Sequence, residues 1–215
     1  MRAKRPVNPS AARYRWTQTA LVALLCIPLA VLAYDFVREI RQPGVAFGPD
    51  PAETIVRYLG EWAIRILLAT LAVSPLARLL RRPRLVRFRR TFGLAAFSYA
   101  VAHLAGYLVL LAGLDAATFL ADFVERPYIT VGLAALVLLV PLAVTSTRGW
   151  QRRLARNWRR LHRLVYAIGV LACIHLLWLS KGDYMDAALY GGVLALLLGE
   201  RVARYTMSRR RRRGA

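Results

Sequence analysis

Six apolar runs divide this chain, beginning near Ala20, Trp62, Gly93, Tyr128, Leu164 and Ala187. Each reaches the ~20 residues that a helix needs to cross a bilayer. Between them the charge alternates. The segments 78–90, 148–163 and 201–213 hold seven arginines each, and Arg2, Lys4, Arg5, Arg13 and Arg15 precede the first run without an acid. The intervening segments are neutral to acidic: Asp35, Glu39, Asp50 and Glu53 in one, Asp115, Asp122 and Glu125 in the next, Asp183 and Asp186 in the third.

That distribution decides what the composition means. The 215 residues carry 32 Lys and Arg against 11 Asp and Glu, a net charge of +21, while 58% are hydrophobic. In a soluble chain such an excess of base points to nucleic acid or an acidic partner. Here every second loop is basic, which is the positive-inside pattern of a multi-pass protein of a bacterial inner membrane. It places both termini and the 78–90 and 148–163 loops in the cytoplasm and leaves no case for a nucleic-acid partner. The arginines at 209–213 are expected to sit against anionic lipid headgroups, each contributing about 1 kcal/mol.

Continuous apolar runs without period-two alternation mean helices, because lipid leaves only helices and closed barrels with satisfied backbones. The expected architecture is an all-α membrane protein, a six-helix transmembrane bundle forming one domain over 1–215. Its spans are about 17–37, 55–79, 92–113, 128–146, 161–180 and 185–205, followed by a basic tail at 206–215. The loops between them read as connectors too short to hold a folded domain, and no internal repeat stands out. Pro28, Pro75 and Pro141 fall inside spans and are expected to kink them. The first run, with its basic leader, imitates a signal peptide, but its length of about eighteen residues favours a retained helix. Cys26 and Cys173 both lie in spans, so neither a disulfide framework nor a CxxC motif is available. No G-x-G-x-x-G follows a strand and the chain has no room for a dinucleotide-binding domain, so any electrons come from a partner or from quinol.

The three histidines, His103, His162 and His175, all lie in or at the edge of spans, where ionisable groups are costly and raise a functional hypothesis. The thirteen residues between His162 and His175 separate them by about 20 Å along a helix, with directions roughly 140° apart. They cannot ligate one iron. Counting inward from the basic loops puts His103 and His175 at similar depth, about 20 Å in from the cytoplasmic side. A b-type haem held between them is the economical reading, since two axial imidazoles suit electron transfer. Gly93, Ala96, Ala100 and Gly106 continue the His103 face with small residues that leave room for a flat porphyrin. The alternative for both histidines is interhelical hydrogen bonding, the small residues then serving close packing. His162, about one turn inside the cytoplasmic face near Trp158 and Tyr166, has three open readings: ligand of a second haem, lining of a flavin or quinol site, or an interfacial side chain. Arg65 has two. It either neutralises Glu61, one turn earlier, or faces the bundle and pairs with a haem propionate.

The stretches LLATLAVSPLAR (67–78), RRTFGL (89–94), VAHLAGY (101–107), RPYITVG (126–132), TSTRGWQRRL (145–154), WRRLHRLVY (158–166) and IHLLW (174–178) together resemble the MsrQ (YedZ) family. Its members are haem-binding membrane subunits of the periplasmic protein-methionine-sulfoxide reductase system, in the ferric-reductase-like group of transmembrane cytochromes b. The resemblance covers about residues 17–205. It implies six helices, haem b, and electrons passing from a quinol pool or a cytosolic flavin reductase to a periplasmic molybdopterin subunit that reduces methionine sulfoxide in envelope proteins. The family's haem-ligand histidines fall on His103, His162 and His175. A flavin, FMN, is also associated with the family, without residues assigned to it here. A single histidine on the third span, where larger ferric reductases have more, leaves one or two haems open.

The leading expectation is therefore an electron conduit that positions cofactors and does no bond chemistry on the sulfoxide, an electron-transfer subunit rather than a catalytic one. Two other classes compete. A free-standing ferric or quinol-linked reductase would act on a small periplasmic acceptor. A proton or ion transporter would carry no haem, and against it stands the lack of an inverted repeat or paired broken helices. The periplasmic loops 38–54, 114–127 and 181–186 are the expected docking surface for the molybdopterin partner.

Overall fold

A computed structural model describes residues 9–180 and 182–213, and Lys181 of the last predicted docking loop lies outside the described residues. Every regular element among them is helical. Residues up to Pro51 form one compact unit and the rest a second. The first contains α1 (Pro9–Arg41), a single helix across the first predicted span. Its most apolar stretch is almost wholly exposed, as expected of a surface turned to lipid. At its end Glu39 closes the chain back on itself, its carboxylate accepting the backbone N–H groups of Gly44 (2.5 Å), Ala46 (2.9 Å) and Phe47 (3.2 Å).

The second unit runs through α2 (Pro51–Leu79), a 3-10 turn (Pro83–Phe88), α3 (Arg89–Gly106), α4 (Ala116–Glu125), α5 (Pro127–Val144), α6 (Arg148–Leu161), α7 (Leu164–Leu179) and α8 (Met185–Arg213). Its centre lies where α2, α3 and α7 meet: Leu71 is fully buried, and Ala96 and Ile168 are 1% exposed. In lipid such helices associate by close packing more than by hydrophobic burial. Gly169 of α7 illustrates this, for a Cβ there would lie 3.1 Å from Leu194 of α8 and 3.7 Å from Leu71.

Among the described residues, four helical segments are long and apolar enough to cross a membrane, Tyr14–Arg41, Pro51–Leu79, Pro83–Leu111 and Pro127–Val144, and a fifth arises if α6 and α7, bent 48° at their junction, act as one span. The sixth predicted span, α8, is not among them, because Asp186, Glu200 and Arg201 bound or interrupt its apolar stretch. Its charges are instead paired: Glu200 with Arg78 of α2 at 2.6 Å, and Asp186 with Arg57 of α2 at 3.6 Å. The helix continues through Arg213, so the predicted tail at 206–215 is helical as far as the described residues reach.

Two predicted loops are corrected. Most of 148–163 forms α6, in which Leu154, Trp158 and Leu161 are half-buried and the arginines between them exposed. Such an amphipathic strip has the pattern of a helix suited to a membrane interface. The backbone is non-helical at Ala155 (φ 44°, ψ −110°), and His162 caps the end of α6 rather than standing inside the fifth span. Residues 114–127 hold α4, capped by Asp115, whose carboxylate accepts from the N–H groups of Ala117 and Thr118. Ahead of α4, the last turn of α3 widens into a π-turn over Tyr107–Leu111, and the chain reverses at Gly113 with φ +61°. The widened turn directs the Tyr107 hydroxyl onto Asp122 of α4 at 2.5 Å, which ties α4 down over the end of the bundle.

Candidate functional site

A cavity of about 220 Å³ opens between α2, α3, α5 and α7, with His103 and His175 on its wall. Each imidazole is held by a backbone carbonyl from the opening turns of a neighbouring helix: His103 Nδ1 lies 2.8 Å from the Val56 carbonyl and His175 Nδ1 lies 2.6 Å from the Tyr128 carbonyl. A carbonyl only accepts, so in both rings Nδ1 carries the hydrogen and donates, leaving Nε2 with its lone pair. The two ring planes are nearly perpendicular, at 83°, with centroids 6.1 Å apart.

This arrangement fits a metal ion between the rings. A metal–imidazole bond is about 2 Å, so two imidazoles on opposite sides of one metal have centroids about 6 Å apart. The carbonyl on each far nitrogen is the usual outer-shell partner of a metal-bound histidine, fixing its tautomer and raising the basicity of Nε2. Among the described residues, no group of three or more His, Cys, Asp and Glu could hold a metal without a prosthetic group. Two imidazoles in a largely apolar pocket, whose other charged lining is Arg57, Glu61 and Arg126, suit a haem, which brings its own equatorial nitrogens.

The histidine pair expected from depth is thus brought together. His162 is not: it lies beyond the α6–α7 break, stacked on Trp158 with centroids 4.1 Å apart and its Nε2 3.0 Å from the Thr145 hydroxyl. Arg65 is paired with Glu61. Its guanidinium donates to Glu61 at 2.8 Å and to the Tyr190 hydroxyl at 2.8 Å, and it does not line the cavity. The cations that do are Arg57 and Arg126, at the N-terminal ends of α2 and α5, with Tyr107 and Tyr128 nearby. Arg126 also holds Asp122 at 3.1 Å. Reading by sequence missed these two because both lie next to acidic loops, where they look like ordinary surface charges. Of the small residues on the His103 face, Ala96 and Ala100 line the cavity. Gly93 and Gly106 instead approach Thr70, Val56 and Leu59 of α2.

Comparison with known proteins agrees with the class that this geometry defines. The family model of the ferric reductase like transmembrane component matches residues 59–173, a stretch that includes His103 and His162 and ends two residues before His175. Relatives named protein-methionine-sulfoxide reductase heme-binding subunit MsrQ align over nearly the whole chain. The protein of Xanthomonas campestris pv. campestris (strain 8004) is 49% identical over 97% of this chain and 93% of its own length. That of Xanthomonas axonopodis pv. citri (strain 306) is 49% identical over 90% and 91%, and that of Caulobacter vibrioides 45% over 85% of each. No solved structure gives a significant match. The chain belongs to the MsrQ family, within the ferric-reductase-like transmembrane proteins.

Proposed function

We propose that this protein is a membrane electron-transfer subunit that carries haem b between His103 and His175. It delivers electrons from quinol or a cytosolic flavin reductase to a periplasmic molybdopterin subunit that reduces methionine sulfoxide in oxidised envelope proteins. The supporting observation is the matched pair of imidazoles: both Nδ1–H groups are spent on helix carbonyls and the rings stand 6.1 Å apart in one cavity. The names of the relatives, heme-binding subunits of a protein-methionine-sulfoxide reductase, point the same way.

His103 and His175 would hold a haem, which would supply a one-electron ferric/ferrous couple there. The chain's own residues do the rest. Val56 and Tyr128 hold the two rings in the ligating tautomer, and Ile64, Leu67 and Leu139 exclude water from the wall between them. Arg57 and Arg126 are the groups to hold the propionates by charge-assisted hydrogen bonds.

The topology that goes with this reading has six spans, α8 included, with both termini cytoplasmic in the inner membrane. The paired charges of α8 support the sixth, since an intramembrane charge is tolerated when it faces the bundle and has a partner. On that topology Val56 and Tyr128 lie near the periplasmic ends of α2 and α5, which suits delivery to a periplasmic acceptor. Phe119 and Arg126 bring the α4 loop to the cavity, and this loop is the best candidate for the docking surface.

The experiment is the dithionite-reduced minus oxidised spectrum of purified protein, with haem quantified per chain, for the native sequence and for His103→Ala and His175→Ala. A b-type signal lost in both variants is the expected result. A native protein without haem, or a signal that survives either substitution, overturns the proposal.

A further inference from the structure

The two halves of the cavity are built alike. In each, a carbonyl near the start of a helix takes the imidazole Nδ1–H from a residue 47 positions later: Val56 with His103, Tyr128 with His175. One turn beyond each carbonyl stands a glycine, Gly60 and Gly132, and against each glycine lies the same imidazole. A Cβ on Gly60 would meet His103 Cε1 at 2.9 Å and Nδ1 at 3.0 Å, while a Cβ on Gly132 would meet His175 Nδ1 at 2.7 Å and Cε1 at 2.8 Å. Carbonyl, glycine and histidine recur at a constant separation of 72 residues. The same shift pairs the rest of the lining, apart from Leu111, Phe119 and Arg126. Helix pair α2–α3 and helix pair α5–α7 thus present the same face to the cavity, a repeat that the amino-acid identities alone conceal.

We infer that Gly60 and Gly132 are positioning residues for the two imidazoles, equivalent notches that let each ring lie against its helix so that Nε2 faces the space between the halves. This inference rests on the haem-ligand reading above. The physical case is one of clearance. Real Cβ atoms essentially never come within 3.0 Å of a ring atom, and these rings cannot retreat while Nδ1–H stays on its carbonyl. A methyl at either glycine therefore breaks the hydrogen bond or swings the ring, and either change moves Nε2.

Alanine at each position gives the test, with ferric haem spectroscopy as the readout. Gly60→Ala and Gly132→Ala are each expected to lose low-spin bis-imidazole signal in favour of a high-spin form, the larger loss in Gly132→Ala. Added free imidazole should restore the low-spin signal by replacing the displaced ring. Gly93→Ala and Gly106→Ala, whose Cβ atoms would lie 3.5 Å or more from any neighbour, should keep the native spectrum. Full haem content with a native low-spin spectrum in either notch variant overturns the inference. A native protein without haem defeats the reading beneath it instead, so the two failures are distinct.

If a notch variant does not accumulate, the double variants decide. Adding His103→Ala to Gly60→Ala, or His175→Ala to Gly132→Ala, removes the ring that the methyl strikes. Accumulation and thermal stability should then return to those of the histidine variant alone. A glycine substitution that stays equally harmful without its histidine acts on helix packing and overturns the inference.

Discussion

Trp158 lies flat against His162, with ring planes 28° from parallel, and both side chains are tied to Thr145 at the end of α5. The indole Nε1–H donates to the Thr145 carbonyl at 2.9 Å. The Thr145 hydroxyl donates its one hydrogen to the Pro141 carbonyl at 2.6 Å, so His162 donates to that hydroxyl through Nε2–H. This is the opposite tautomer from His103 and His175. His162→Ala should therefore leave the b-type difference spectrum in place and cost about 1–2 kcal/mol of stability through the lost hydrogen bond and stacking. Loss of the spectrum together with stability would make His162 an iron ligand instead.

The cavity's cations and the buried-looking one should separate cleanly. Removing a positive charge from the cavity wall, Arg57→Gln or Arg126→Gln, should lower the midpoint potential by on the order of tens of millivolts. Arg65→Gln should leave the potential unchanged within error and cost up to about 1 kcal/mol, discounted because the side chain is 38% exposed. Redox titration beside thermal unfolding distinguishes the two behaviours. An equal potential shift in Arg65→Gln would return Arg65 to the propionates.

Glu200 joins α8 to α2. It takes Arg78 at 2.6 Å and Arg204 of its own helix at 3.7 Å, while the neighbouring Arg201 donates to the Leu71 carbonyl at 3.0 Å and lies over the Tyr166 ring. Glu200→Ala should cost about 1 kcal/mol, a surface-like value because the side chain is one-third exposed. It should also speed tryptic cleavage after Arg201 and Arg204. Unchanged cleavage would mean that the ion pair does not dock this end of α8.

Asp115 supplies a pH-dependent cap. The Thr118 hydroxyl, then the Thr118 and Ala117 N–H groups, hold its carboxyl below the usual carboxylate range. Its native value lies below its unfolded one, so the cap contributes above about pH 4 and is lost as the pH falls through the native value. Amide exchange in α4, referred to α5 at the same pH, should accelerate on acidification below about pH 4. Asp115→Asn keeps an acceptor without the titration, so it should abolish that pH dependence, and an unchanged dependence would assign it to another group.

Much of this protein is legible in the chain because lipid enforces local rules. A run such as 127–144 must satisfy its own backbone, so helicity follows from apolarity and length with no knowledge of neighbours. The pairing of His103 with His175 was within reach for a related reason, since helix rise and the arginine-rich loops fix depth. Helices α4 and α6 were hidden because they lie outside that rule: they are short and interrupted by charges, and a helix of that kind reads as a loop when apolar runs are the signal. Arg65, Arg57 and Arg126 are chemically alike in the sequence, and only the packed cavity, which Arg57 and Arg126 line and Arg65 does not, separates them.

What the sequence determined by itself is the helical class, the charge alternation and the common depth of two imidazoles, all set by backbone satisfaction and by one helix's rise. What only the tertiary structure decided is how those imidazoles are held. The two carbonyls, the two glycine notches and the opposite tautomer of His162 each depend on tenths of an ångström between helices distant in the chain. Such distances arise when packed faces meet, and no single helix carries them.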